Sequence, residues 1–219
     1  FLLELSPDIR LQSTRQDISN IRDVFVSHWH FDHMIGLREL HAWVKRITEP
    51  FTVYCSEGTA EMLAKEYAYI PFKTTILKPF EPVKIFGVTV TPLPIYHMFT
   101  QDEAVAEDKI ANTFAYLCET NDLRFAYLAD YYRVPQRTID RLQGLDFVIA
   151  DGTYLSNLDY KDIRPNHLHA DAIVRFTESL KAKKVYYHSI SHLTRKTHDE
   201  LQQALPENHF LTFDGMKLW

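Results

Sequence analysis

The chain has 219 residues, 46% of them hydrophobic, and its 24 Lys and Arg against 29 Asp and Glu give a formal net charge of −5. This is enough apolar material for a sizeable core, and the acidic balance argues against a surface that attracts nucleic acid or an anionic membrane. Two cysteines are too few for a disulfide framework, and no run approaches the roughly 20 apolar residues of a membrane span. We therefore expect one domain over residues 1–219, located in the cytoplasm.

The sequence of the first half of the chain indicates strands that alternate with helices. The opening residues are typical of a strand followed by a Ser-Pro turn. "IRDVFVSH" is a β-branched and aromatic run that indicates a buried strand, and "MIGLRELHAWVKRI" then has the apolar period of a helix. The elements expected next are a strand at 51–56, a helix at 57–69, and a pair of strands at 83–97 that turn at Gly87.

The second half continues the same alternation. Its predicted elements are a hairpin at 112–130 turning at Asn121-Asp122, a helix at 135–143, a strand at 145–151, a helix at 170–184, a strand at 185–192, a helix at 197–205 and a closing hairpin at 210–219 turning at Asp214-Gly215. Strands that occur singly and in hairpins, with helices dispersed between them, predict two mixed sheets with helices outside. The expected class is α+β, with a four-layer αββα sandwich.

Four side chains able to bind a metal crowd into the six positions of "HWHFDH", directly after a predicted strand: His28, His30, Asp32 and His33. Residues two apart on a strand point the same way, and the turn that follows moves the last two side chains to a neighbouring point. Imidazole and carboxylate suit zinc, manganese and iron. One loop can therefore serve two ions.

Three further ligating residues each close an apolar run: His97, Asp130 and His188. Two ions roughly 3.5 to 4 Å apart need about six or seven protein ligands and a bridging water. The predicted ligands are His28, His30 and His97 for the first ion, Asp32, His33 and His188 for the second, and Asp130 as the bridge. The expected cofactors are two divalent ions, zinc or manganese, with iron as a further candidate.

The remaining isolated histidines are expected to be structural, because a lone histidine is more often a satisfied side chain than a ligand. They include His41 on a helix, His198 at the start of a helix, and His209 at the start of a surface strand. His192 follows His188 by four residues and is a candidate for supporting a ligand.

The H-x-H-x-D-H loop, followed in order by His97, Asp130 and His188, resembles the metallo-β-lactamase superfamily over essentially the whole chain. The stretches "SPDIRLQ", "VTPLPIYH", "RPNHLHAD", "YYHSISH" and "FDGM" resemble its PhnP-like branch, the phosphoribosyl 1,2-cyclic phosphate phosphodiesterases. The resemblance implies an αββα fold, a binuclear metal site and hydrolysis of a small cyclic phosphodiester such as 5-phosphoribosyl 1,2-cyclic phosphate.

The same resemblance suggests what differs in this chain. It implies that the first strands of the fold, and any cysteine-bound structural zinc, are missing from the N-terminal side. The acidic segment 98–112 is longer than the branch pattern, and it is either a solvated loop or a lid that alters substrate choice.

The resemblance also places His167 beside the metals as a catalytic or phosphate-holding residue, with Asn166 as a weaker substrate-binding candidate. Asp32 is counted with His167 in the catalytic set. Two ions make a bridging hydroxide available at neutral pH, and a donor aimed at the phosphate oxygens stabilises their growing charge. His167 can also protonate the leaving alkoxide, and His169 is the alternate.

Three other functions stay open at this point. A tRNA 3′-processing-type nuclease would need a basic surface for a long polyanion, which the sequence does not show, and a glyoxalase-II-like thioesterase fits "RPNHLHAD" less well. A non-catalytic metal-binding module is the third. The expected partner is a small phosphodiester, with nucleic acid and membrane not expected and a homodimer left open.

Overall fold

The protein is described by a computed structural model over residues 1–18, 20–44, 50–97, 112–156 and 167–218, with the backbone alone at 41–44 and Leu193. Asn166 and nearly all of segment 98–112 lie outside these residues. The chain forms two compact units, one of Phe1–Lys78, Asn112–Phe114 and Asp214–Trp219, the other of Pro79–Ala111 and Ala115–Phe213. A single domain over 1–219 stays a prediction.

The first unit contains a four-stranded parallel sheet. In sheet order, its strands are β1 (Leu2–Leu3), β2 (Asp23–Phe25), β3 (Phe51–Cys55) and β4 (Phe72–Ile76). Its helices are α1 (Ile9–Arg15), α2 (Phe31–Met34), α3 (Leu37–Val44) and α4 (Glu57–Glu66). Ser56 starts α4, because its hydroxyl accepts the backbone N–H of Thr59. Val24 and Phe25 of β2 are fully buried, so β2 carries the histidine loop on a rigid strand.

The second sheet has seven strands, most of which lie in the second unit. They are β5 (Val83–Ile85), β6 (Val88–Ile95), β7 (Thr113–Glu119), β8 (Arg124–Leu128), β9 (Phe147–Asp151), β10 (Lys184–His188) and β11 (His209–Leu211), ordered from β11 to β5 across the sheet. The helices are α5 (Gln136–Arg141), α6 (Ala170–Ser179) and α7 (His198–Gln203). Because β8, β9 and β10 are parallel neighbours, their carboxyl ends share one edge of the sheet.

The α+β class with two sheets and dispersed helices is confirmed, with three local corrections. The first sheet is wholly parallel rather than mixed. The opening Ser-Pro turn leads into helix α1, which the sequence patterns did not predict. They also did not predict the exposed strand β4. The closing hairpin is wrong, because β11 pairs in parallel with β10 and the described residues after it form no strand. Helix α7 supplies the crossover that a parallel pairing requires.

The two cysteines are packed thiols rather than partners in a disulfide. Cys55 and Cys118 are both free and buried, and burial raises the pKa of each thiol to about 12. Such thiols stay protonated and unreactive at neutral pH. Among the described helices, none has both the length and the apolar character that crossing a membrane demands.

His209 was expected at the start of a surface strand, but the strand is buried there. Only 1% of the surface of His209 is exposed. Its Nδ1 lies 2.8 Å from the hydroxyl of Tyr187, which lies 2.8 Å from the hydroxyl of Thr177. Burial lowers the pKa of His209, and the opposing effect of Glu178 is smaller. His209 is therefore a neutral member of a buried network that ties β10, β11 and α6 together.

We expect acid to destabilise the protein through His209. The unfolded chain takes up a proton on this imidazole near its ordinary pKa of about 6.5, whereas the folded chain does so only at lower pH. The stabilising contribution is thus complete above about pH 6.5 and is lost as the pH falls toward the lowered pKa. Urea unfolding between about pH 5 and pH 8 should show a shallower pH slope for His209→Gln than for the wild type. An identical slope in the variant would contradict this.

Candidate active site

The histidine loop of the first unit leaves β2 and enters α2. The ring centroid of His28 lies 4.5 Å from that of His30 and 4.2 Å from that of His33. His28 and His30 each offer a ligand atom within 4.8 Å of the other, and so do Asp32 and His33. His28 and His33 are buried, whereas the carboxylate of Asp32 is 65% exposed. The loop therefore places its four predicted ligands as two close pairs.

In the second unit, His97 follows β6 and Asp130 follows β8. The backbone N–H of Tyr96 donates to the carbonyl of Arg133 at 2.9 Å, and the N–H of Tyr132 donates to the carbonyl of Tyr96 at 2.8 Å. These bonds hold the two chain segments together beyond the strands. They bring the buried Nε2 of His97 within 3.4 Å of the Oδ2 of Asp130.

Asp151 is a further candidate site residue, which the sequence patterns did not single out. It closes β9, is 2% exposed, and its Oδ2 lies 2.6 Å from the Nδ1 of His167. Its Oδ1 accepts hydrogen bonds from both the backbone N–H and the hydroxyl of Thr153, at 2.9 and 2.6 Å. The signal was present, because "LDFVIAD" closes an apolar strand with an aspartate, the same pattern that singled out Asp130.

His167 lies between two carboxylates. Its Nδ1 faces Asp151, and its Nε2 is 3.8 Å from the Oδ2 of Asp130. The next residue anchors the segment, because the N–H of Leu168 donates to the carbonyl of Tyr131 at 3.0 Å. Since an ionised carboxylate only accepts hydrogen bonds, Nδ1 carries the hydrogen that faces Asp151. Nε2 is then the nitrogen that faces Asp130.

The neighbouring His169 is placed differently. Its ring stacks on Tyr154, with centroids 5.4 Å apart and planes 13° apart. Burial lowers the pKa of His169, and the adjacent His167 lowers it further. His169 is also the N-cap residue of α6, without a side-chain capping bond. These placements favour His167 over His169 as the acid.

His188 ends β10 opposite Asp151 in the sheet register, but its ring is engaged elsewhere. Its Nδ1 lies 2.8 Å from the hydroxyl of Ser189, and its Nε2 lies 3.0 Å from the carbonyl oxygen of Leu128. A carbonyl only accepts, so Nε2 carries the hydrogen in this arrangement. Within the described residues, the groups of three or more ligating side chains do not include His188. The His188 ring must break its hydrogen bond to the carbonyl of Leu128 before its Nε2 can bind an ion.

The donor set fits a divalent metal. Ligand atoms about 2.1 Å from a tetrahedral zinc lie about 3.4 Å from one another. The Nε2 of His97 and the Oδ2 of Asp130 are separated by that distance, 3.4 Å, and both side chains are buried. Asp130, Asp151 and His167 also offer ligand atoms within 4.8 Å of one another. Buried carboxylates beside imidazoles are stabilised by a cation or by protons, so this group suits a metal with a proton donor next to it.

Comparison with known proteins agrees with the site chemistry. Residues 1–190 match the profile of the beta-lactamase superfamily domain. The coenzyme PQQ synthesis protein B of Methylorubrum populi is 27% identical over 177 residues, covering 72% of this chain and 58% of that protein. The chain thus spans less than two thirds of the length of this curated relative.

Two solved structures share the fold. The crystal structure of a diphosphatase from the PhnP family has 27% identity and a TM-score of 0.81, covering 99% of this chain and 78% of that one. The zinc-bound PqqB from Methylobacterium extorquens has 19% identity and a TM-score of 0.73, covering 98% and 82%. The domain match over residues 1–190 therefore shows that the chain belongs to the metallo-β-lactamase superfamily, and its assignment to the PhnP-like branch stays a prediction.

Proposed function

We propose that this chain is a metal-dependent hydrolase that cleaves a small cyclic phosphodiester, such as 5-phosphoribosyl 1,2-cyclic phosphate. The observation that carries the proposal is His167, whose Nδ1 lies 2.6 Å from the buried Asp151 carboxylate and whose Nε2 lies 3.8 Å from the carboxylate of Asp130. An imidazole held in this way is suited to protonating a poor leaving group such as a ribose alkoxide. Similarity to a PhnP-family diphosphatase supports phosphate chemistry.

The proposed cofactors are two divalent ions, zinc or manganese, with iron as the further candidate. The residues proposed to hold them are His28, His30, Asp32, His33, His97, Asp130 and His188. Such a pair of ions, when bound, activates water and neutralises charge on the phosphate. Similarity to the zinc-bound PqqB supports zinc among these metals.

The chain's own residues account for the handling of the proton. Thr153 fixes one oxygen of Asp151 with two hydrogen bonds, so the other oxygen is held toward the Nδ1 of His167. This carboxylate stabilises the imidazole when Nε2 also carries a proton. Nε2 can then donate to the phosphate oxygens as their charge grows, or pass its proton to the departing ribose oxygen. Asn166 is proposed to assist in binding the phosphate.

Turnover by the purified zinc- or manganese-loaded protein tests the function directly. The substrates to compare are 5-phosphoribosyl 1,2-cyclic phosphate, simple 2′,3′-cyclic nucleotides, a tRNA precursor with a 3′ trailer, and a glutathione thioester. We expect the cyclic ribose phosphate to be hydrolysed with the highest kcat/KM. Preferred cleavage of the tRNA precursor or of the thioester would refute the proposal in favour of the corresponding hydrolase. Absence of turnover on all four substrates, with metal bound, would favour a non-catalytic module.

A further inference from the structure

Glu4 belongs to no predicted ligand set, yet its carboxylate lies against the histidine loop of the first unit. The side chain is 9% exposed. Its Oε1 accepts a hydrogen bond from the backbone N–H of Ser27 at 3.0 Å, and its Oε2 is 3.4 Å from the Nδ1 of His33. One carboxylate therefore touches both the start of the loop and one of its proposed metal ligands.

The backbone conformation at Glu4 directs its carboxylate toward the histidine loop. Glu4 has φ +70°, in the left-handed region that residues other than glycine adopt rarely and at a cost. Its N–H donates to the carbonyl of Phe25 at 2.9 Å, and the N–H of Leu5 donates to the carbonyl of His33 at 2.9 Å. The strained residue is thus tied to the end of β2 on one side and to the proposed metal ligand on the other.

Both ring nitrogens of His33 face a carboxylate: Nδ1 lies 3.4 Å from the buried Oε2 of Glu4, and Nε2 lies 3.5 Å from the 65% exposed carboxylate of Asp32, which is proposed to bind the same ion. A carboxylate accepts hydrogen bonds and cannot donate them, so a hydrogen bond between His33 and Glu4 requires the hydrogen to be on Nδ1. Among the described residues, the Oε2 of Glu4 makes no hydrogen bond, and the His33 imidazole at 3.4 Å is placed to provide one. An imidazole whose Nδ1–H is directed at a carboxylate presents the lone pair of Nε2 to a metal and is a stronger ligand.

We propose that Glu4 is a positioning residue for metal binding. It orients His33 and selects the tautomer that binds an ion through Nε2. Through the Ser27 N–H it also holds the start of the loop, where the Ser27 hydroxyl lies 2.9 Å from the Nδ1 of His28. This inference rests on the proposed function only in that His33 binds a metal ion.

Zinc affinity of the Glu4→Gln variant tests the proposal. Glutamine keeps the shape of the side chain and can still accept the Ser27 N–H, but it loses the negative charge that faces His33. We expect the affinity for one of the two ions to fall about 10- to 100-fold, measured by competition with a chromophoric chelator. Glu61→Gln, a charge loss on the exposed face of α4, is the matched control and should bind zinc as the wild type does.

Thermal unfolding of the metal-free proteins separates positioning from a purely structural role. Weaker zinc binding together with wild-type stability of metal-free Glu4→Gln would support the proposal. Unchanged zinc affinity would overturn it. If the variant does not fold, imidazole ¹⁵N shifts of zinc-loaded wild type decide the question, because ligation of His33 through Nδ1 would overturn the proposal and ligation through Nε2 would support it.

Failure of this proposal is distinguishable from failure of the proposed function. A wild-type protein in which His33 binds no metal ion would overturn this inference. A wild-type protein that binds two ions, depends on Glu4 for one of them, and does not hydrolyse cyclic phosphates would refute the proposed function alone.

Discussion

Asp130→Asn should leave the protein folded while removing bound metal and turnover. Asparagine keeps the shape of the side chain but removes the negative charge that is proposed to offset two divalent cations. The carboxylate of Asp130 faces the Nε2 of His97 at 3.4 Å and the Nε2 of His167 at 3.8 Å, so its charge is at the centre of this group. We expect fewer than two ions per chain. Turnover should fall by more than about 100-fold, the upper end of what losing a merely supporting partner costs.

Elemental analysis and turnover of bis(p-nitrophenyl) phosphate measure both effects. Asp140→Asn, on the exposed side of α5, is the matched control and should keep both metal and activity. Circular dichroism should be unchanged in both variants, because the core of the second unit consists of apolar side chains. Full metal occupancy with wild-type turnover in Asp130→Asn would refute the bridging assignment.

His167→Ala should lower kcat by about 10²- to 10⁴-fold on a substrate with an alkoxide leaving group, while metal content stays at two ions. The reason is the loss of the imidazole whose Nδ1 lies 2.6 Å from Asp151 and whose Nε2 faces Asp130. On a substrate that releases p-nitrophenolate, which needs no proton, the defect should shrink if His167 is the acid. An equal defect on both substrates would instead indicate positioning or charge stabilisation of the phosphate.

The control for this variant is His198→Ala, an exposed histidine at the start of α7, which should retain full activity. Loss of a metal ion from His167→Ala, or unchanged turnover of the cyclic ribose phosphate, would return His167 to a structural role.

The partnership of Asp151 with His167 makes a separate prediction. Asp151→Asn alone should reduce kcat, because an amide can donate to Nδ1 and thereby favour the wrong tautomer of the imidazole. The double variant Asp151→Asn, His167→Ala should be no slower than His167→Ala, because residues that act as one unit are not additive. Steady-state kinetics of the wild type and the three variants measure this coupling. Additive losses would show that Asp151 acts independently of His167.

The sequence by itself determined the fold class and the candidate metal ligands. The spacing of His28, His30, Asp32 and His33 is a local property, and the strand-end positions of His97 and Asp130 follow from apolar periodicity that is also local. Both kinds of signal can be interpreted without knowing which strands are neighbours. The family resemblance added His167, whose neighbourhood the sequence pattern alone could not identify.

Only the tertiary structure decided which side chains meet. Asp151 and His167 are 16 residues apart, and Glu4 and His33 are joined through β1 and β2, so both contacts depend on chain segments that are brought together by folding. The direction of the His188 ring toward Leu128, and the parallel docking of β11 that buries His209, depend likewise on strand order. Local sequence sets the period of an element, but the rotamer and partner of a side chain are chosen by neighbours distant in sequence, whose identity appears only when the sheets assemble.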